Sequence, residues 1–140
     1  MNLSSERKIL IVDDEVEQLR TMKLGLRSRR YEVSTARNSK EAFEFLSRNS
    51  DFDVVVTDYC MPGMSGLQFL KKVKKDFKNL AVIMMTAYGK KEEFIEVLDH
   101  PKSGFLEKPF SMDDLVWEIE RVRQSGTPVL DMKKSRSSYM

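Results

Sequence analysis

Five short β-branched or apolar runs alternate with five segments of helical period, and that alternation restricts the chain to one fold class, a parallel sheet with helices on both faces. The strands fall at Lys8 to Val12, Glu32 to Thr35, Val54 to Thr57, Ala81 to Met85 and Gly104 to Glu107. The expected architecture is a doubly wound, five-stranded α/β sheet flanked by five helices.

Between the strands, apolar residues recur near the 3.6-residue period. The first helical segment turns Val16, Leu19, Met22 and Leu26 to one side. The second opens at Asn38, which has capping-box spacing to Glu41, and carries Ala42, Phe43 and Leu46 inward. The third starts near Ser65, burying Leu67, Leu70 and Val73 and leaving Lys71, Lys72, Lys74 and Lys75 mostly solvated. The fourth, Lys90 to Leu98, cannot continue past Pro101 in regular helix. The fifth starts at Ser111, with Asp114 completing a second capping box, and buries Leu115, Ile119 and Val122. From Ser125 the period stops among Gly126, Pro128 and a run of Lys, Arg and Ser. The domain is expected over residues 6–124, with residues 125–140 a flexible tail or the start of a linker to an effector domain.

The composition excludes several classes of function. At 140 residues, 41% hydrophobic and 33% charged, the chain fits one soluble domain with a single core. A net charge of +2 gives no concentrated basic face for nucleic acid, and the lysines at 71, 72, 74, 75 and 78 read as a solvated surface. The single Cys60 rules out an internal disulfide, and the single His100 rules out a zinc cluster or a His-based triad within the chain. Met1 to Arg7 lacks the apolar stretch of a signal peptide and no run approaches a membrane span, so the expected location is cytoplasmic.

The chemistry sits where the apolar runs end. Val12 runs into Asp13-Asp14, Val54-Val55-Val56-Thr57 into Asp58, Met84-Met85 into Thr86, and Phe105-Leu106-Glu107 into Lys108-Pro109. In an open parallel sheet these positions share the carboxyl edge, where ligands bind, and winding to one side and then back places the first strand beside the third. Three carboxylates gathered there repel one another by several kcal/mol unless a divalent cation and an ammonium offset them.

Four segments together resemble the receiver domain of two-component response regulators: Ile11-Val12-Asp13-Asp14-Glu15, Val56-Thr57-Asp58 through Gly66, Met85-Thr86-Ala87, and Leu106-Glu107-Lys108-Pro109-Phe110. The resemblance covers about Lys8 to Val122 and implies the strand order 2-1-3-4-5 of the flavodoxin-like fold. It further implies that Asp58 takes a phosphoryl group from a histidine kinase or phosphotransfer protein. Mg²⁺, with Mn²⁺ as a substitute, is then held by Asp14, Asp58 and the Cys60 carbonyl directly and by Asp13 through water. Lys108 approaches the phosphoryl group, and a cis bond to Pro109 sets its angle. Thr86 and the Ala87 amide contact phosphoryl oxygens. Phe105 then turns from an exposed to a buried position, changing the output face of the fourth helical segment, fifth strand and fifth helical segment toward an effector protein or a fused output domain. Homodimers through the last helix and strand occur among relatives. Neither nucleic acid nor membrane is an expected partner of this domain.

Several residues depart from the family pattern or stand apart from it. Cys60 and Tyr88 flank the path of the water that hydrolyses the acyl phosphate in the family and bring no carboxylate or amide to orient it, so a slow self-dephosphorylation is expected. The Cys60 thiol itself reads as partly shielded and without a redox role. Asp99 to Gly104 replaces the Gly-Ala pair of many relatives. Met22, Met84, Met85 and Met112 read as packing residues, with Met61 and Met64 beside Asp58, while Trp117 falls off the buried stripe of its helix. Two other classes stand against the switch: a passive interaction module on the same fold, and an aspartyl-phosphate hydrolase of haloacid-dehalogenase type. The retained acids and Lys108 argue against the first, and Cys60 in the place of a general-acid Asp argues against the second.

Overall fold

In a computed structural model the described residues are 7–49, 51–61, 63–87 and 102–124. Five parallel strands, β1 (Lys8–Val12), β2 (Glu32–Ala36), β3 (Val54–Asp58), β4 (Ala81–Thr86) and β5 (Ser103–Glu107), form one sheet in the order β2-β1-β3-β4-β5. Four helices are described: α1 (Val16–Arg27), α2 (Ser39–Arg48), α3 (Gly66–Asp76) and α4 (Met112–Gln124). The helical segment expected at Lys90 to Leu98, and the tail from Ser125, lie outside the described residues.

Successive side chains of a strand point to opposite faces, so each apolar run feeds two cores. Leu10, Val12, Val55, Val82, Met84 and Phe105 face α2 and α3, meeting Ala42, Leu46, Phe69, Leu70 and Val73. Ile9, Ile11, Val54, Val56, Ile83 and Leu106 face α1 and α4, meeting Leu19, Met22, Leu26, Leu115, Ile119 and Val122. Each fully buried aliphatic chain contributes about 1.5–3 kcal/mol, so the strands cannot slip by one residue without exposing a whole layer.

The helix ends follow the capping chemistry. Ser65 and Gln68 exchange side-chain-to-backbone bonds at the start of α3, and Ser111 and Asp114 do so before α4. At α2 only half of the expected box forms: the Asn38 side chain accepts from the Glu41 amide, while the Glu41 carboxylate accepts from the amide of Arg37.

Three expected faces are corrected. Val16 is 51% exposed, because at 100° per residue it lies about 90° from the centre of the stripe of Leu19, Met22 and Leu26. On α3 the buried stripe is Gly66, Phe69, Leu70 and Val73, which leaves Leu67 half-buried and brings in Phe69, unassigned from sequence. Lys74 is not solvated: its Nζ donates to the carbonyls of Leu80 and Lys102 at 3.0 and 3.2 Å, and burial lowers its pKa to about 8.

Gly66 couples this packing to the end of β3. Its amide donates to the Tyr59 carbonyl at 2.8 Å, and a Cβ there would stand 2.6 Å from the Tyr59 Cα and 3.0 Å from the Asp58 carbonyl oxygen. Main chain cannot yield as a flexible side chain does. Gly66→Ala is therefore expected to destabilise the protein by about 2–3 kcal/mol, read as a lower urea midpoint at unchanged slope.

Candidate functional site

The sheet register delivers the four segments to one rim. Val12 pairs with Thr57, Asp58 with Met85, and Thr86 with Glu107, so Asp13, Asp58, Thr86 and Lys108 emerge side by side at the carboxyl ends of β1, β3, β4 and β5. Main-chain bonds tie these ends down: the Asp13 amide donates to Ala36 O, the Tyr59 amide to Met85 O, and the Lys108 amide to Thr86 O at 2.8 Å.

Asp13, Asp14 and Asp58 each bring a carboxylate oxygen within 4.8 Å of the others, a group that could hold a metal ion. Asp13 is fully buried, Asp58 is 9% exposed, and Asp14 is exposed to solvent. One Asp13 oxygen, Oδ1, accepts from the Glu15 amide at 3.0 Å. The other, Oδ2, is buried without a hydrogen-bond partner. A buried anionic oxygen left unpaired is costly, and it sits in the acid cluster where a hydrated cation would supply what it lacks.

Among the described residues, Lys108 is the positive charge that stands against these acids. Its Nζ stands 3.7 Å from Asp58 Oδ1 and 3.9 Å from Asp13 Oδ2, close enough for attraction and too far for a hydrogen bond. The Lys108–Pro109 peptide bond is cis. Burial pushes the Asp13 carboxyl up to about 6; the Glu15 amide and Lys108 oppose that, and the Asp58 charge adds to it. Burial also raises the Asp58 pKa, opposed by Lys108 and by the amides of Cys60 and Tyr59. Both acids thus hold their negative charge under strain, the condition in which a bound cation is favoured.

The surrounding residues divide into those placed at the rim and those turned elsewhere. Thr86 is buried, and its hydroxyl donates to the Ala87 carbonyl at 2.9 Å. Ala87 is exposed, while Tyr88 lies outside the described residues, as does His100. Cys60 is exposed, not shielded as expected: it follows Asp58 by two residues, in the loop that leaves the strand for solvent. Phe105 is 4% exposed and sits in the α2–α3 core, at the buried end of the motion expected of it. Met61 belongs to the same core, and Met64 packs against it. Trp117 is half-buried.

Sequence reasoning missed one charged group, the buried pair Glu118 and Arg121 on α4. Acid and base three residues apart on a helix usually mark a solvated face, and only Gly104 in the facing strand hinted otherwise.

Comparison with known proteins agrees with this geometry. The family model described as response regulator receiver domain matches residues 9–120. The chain is 36% identical over 127 residues to chemotaxis protein CheY-3 of Vibrio cholerae, covering 86% of this chain and 94% of that protein. It is 39% identical over 118 residues to chemotaxis protein CheY1 of Helicobacter pylori, covering 82% and 95%. Among solved structures, a response regulator receiver domain protein from Clostridium thermocellum superposes with a TM-score of 0.77 at 34% identity, covering 84% of this chain and 94% of that one. No helix among the described residues is long and apolar enough to cross a membrane. Carried by the same rim of acids and by a match spanning both cores, the chain belongs to the response regulator receiver family and is a phosphorylation-dependent signalling switch of two-component type.

Proposed function

We propose that Asp58 is the phosphoacceptor of this switch and that the domain catalyses both its own phosphorylation and its own dephosphorylation. The observation that carries this is the placement of the Lys108 ammonium between two strained carboxylates, 3.7 Å from Asp58 and 3.9 Å from Asp13. An Asp58 oxygen attacks phosphorus, the phosphorus–nitrogen bond of a phosphohistidine breaks, and the departing imidazole keeps the electron pair and takes a proton. A carboxylate is a weak nucleophile, so acceleration comes from alignment and from neutralising the charge on the transferring group. Asp13, Asp14, Asp58 and the Cys60 carbonyl would hold Mg²⁺, or Mn²⁺ in its place, which supplies charge neutralisation at the phosphoryl oxygens. Lys108 contributes a further positive charge beside Asp58, 3.7 Å from its Oδ1. Thr86 then exchanges its bond to the Ala87 carbonyl for one to a phosphoryl oxygen, and the Ala87 amide serves another.

The receiver unit spans residues 6–124, with 125–140 a tail or the start of a linker. An open cleft of about 590 Å³ between α1 and the β5–α4 connection, lined by Gln18, Thr21, Lys108, Pro109 and Phe110, lies beside the site and suits the helix of a histidine kinase or phosphotransfer protein. Output passes through Phe105 and the face built from β5 and α4, to an effector protein, a fused output domain or a second copy of the chain. The protein acts in the cytoplasm, where its donors reside, without contacting nucleic acid or membrane.

Incubation with acetyl phosphate and Mg²⁺ is expected to add one phosphoryl group to the native chain and none to Asp58→Asn, read by intact-mass spectrometry. Steady release of phosphate from varied esters would contradict the switch. With an exposed Cys60 and with Tyr88 supplying no acid or amide to orient water, the phosphorylated form is expected to persist for minutes or longer without a partner; decay within seconds would refute this. Cys60→Asp is expected to hasten the decay.

The Asp13 pKa sets a pH dependence. Its folded value, about 6, lies above the ordinary 3.8, so the folded state holds this proton more tightly than the unfolded state does. Stability from this group is therefore greatest below pH about 4, falls as pH rises to about 6, and stays lower by about 3 kcal/mol above that. With chelator present, Asp13→Asn is expected to be the more stable protein at pH 7.5, by an amount that shrinks toward pH 4. Added Mg²⁺ should stabilise the native chain and leave Asp13→Asn nearly unmoved, as read by urea midpoints.

A further inference from the structure

Away from the acid rim, Glu118 and Arg121 are buried between α4 and β5, at 0% and 6% exposure. β5 is the last strand in the sheet order. Val82 N donates to Lys102 O and Lys108 N to Thr86 O, and bonding residues alternate along a parallel ladder. Residues 102, 104, 106 and 108 therefore turn their main-chain groups to β4, while those of Ser103, Phe105 and Glu107 point away from the sheet. Two of these outward groups are met by the buried pair. Glu118 Oε2 accepts from the Phe105 amide at 3.1 Å, and Arg121 Nη2 donates to the Ser103 carbonyl at 3.1 Å. The pair is closed on itself by Arg121 Nη2 to Glu118 Oε2 at 2.9 Å and Arg121 Nε to Glu118 Oε1 at 3.2 Å. Gly104 makes the room: a Cβ there would collide with Glu118 Oε2 and lie 2.9 Å from Arg121 Nη2.

This arrangement is not the one that stability alone would select. Arg121 Nη1 is buried with no hydrogen-bond partner, and replacing a buried ion pair by apolar residues of similar volume is often neutral or stabilising. What the pair does is grip the main chain on both sides of Gly104, at Ser103 and Phe105. The Phe105 ring lies inside while the Thr86 hydroxyl is bonded to Ala87 O, so the aromatic is in place without a bond from Thr86 to the acid site drawing it there.

We propose that Glu118 and Arg121 are positioning residues that hold the Phe105 main chain with its ring inward, and so bias the receiver toward its phosphoryl-binding conformation before Asp58 is modified. This rests on Phe105 being the aromatic of the switch, as read above. A conformation favoured in advance raises the apparent affinity for whatever binds it best, and the reverse holds by linkage.

The test replaces the pair by Glu118→Leu with Arg121→Met, which keeps volume and burial and removes both grips on β5. Titration with beryllofluoride in saturating Mg²⁺, a phosphoryl mimic, is expected to show half-saturation raised fivefold or more, while the affinity for Mg²⁺ alone stays within twofold. Arg121→Lys, which keeps the charge but lacks the fork to Ser103, should show a rise of two- to threefold and serves if the double variant does not fold. A direct readout is the fluorine resonance of 4-fluorophenylalanine placed at 105: one buried signal in the native chain, and a second, solvent-shifted signal once the pair is gone. Native and variant proteins with equal beryllofluoride affinity and one unchanged resonance would overturn the positioning role alone. A native chain that binds no beryllofluoride would overturn the receiver reading, and this inference with it.

Discussion

The interaction on which the rest depends is the repulsion between Asp13 and Asp58 at the buried end of two adjacent strands. At a separation within 4.8 Å and an effective dielectric near 20, two unit charges oppose each other by about 3 kcal/mol or more. Lys108 offsets part of that, from 3.7 and 3.9 Å, without hydrogen-bonding either acid. The site is left short of positive charge. A divalent cation held there would meet a deficit already built by folding, because β1 and β3 cannot pair in register without bringing these acids together.

The sheet carries that repulsion because its strands are locked from both sides. Each strand's alternate residues are buried in separate cores, so relief by sliding a strand would cost a full layer of contacts on each face. Relief by separating the strand ends is opposed by the main-chain bonds that continue past them, at Asp13, Tyr59 and Lys108. Strain at the rim is thereby confined to side chains and to the loops that carry them.

How much of this was legible depended on how abrupt the chemistry is along the chain. Apolar strands that end in Asp13, Asp58, Thr86 and Lys108 change character within one residue, and parallel pairing converts those boundaries into a common edge. Helix faces are less sharply written. Leu67 and Phe69 are both apolar and two residues apart, so only the actual contact with the sheet decides that Phe69 is buried and Leu67 half-buried. Cys60 looked shielded by its neighbourhood in sequence, but the loop after β3 turns it outward. Lys74 and the Glu118–Arg121 pair were the hardest to see, since their partners are main-chain groups of distant segments and main chain leaves no trace in composition. Gly104 was the one visible clue, as a residue whose missing side chain is space taken by another.

The same distinction between locked and adjustable parts runs from the acid rim to the edge of the sheet. β4 joins the acid rim to the edge strand through Thr86, which pairs with Glu107 and accepts from the Lys108 amide. β5 is held on its inner side by β4 and on its outer side by Glu118 and Arg121, at Phe105 and Ser103 respectively. α4 is fastened at a second point, where the buried Tyr31 hydroxyl donates to Glu120 at 2.6 Å and Arg123 pairs with the same carboxylate. β5 and α4 are thus fastened to each other and to the sheet, so that under the role proposed for Thr86 a pull on it would be taken up by the Thr86 hydroxyl and the ring of Phe105. With the positioning role proposed for Glu118 and Arg121, such a switch transmits through a few side-chain rotations against a stiff frame, and its set-point follows from how firmly that frame holds β5.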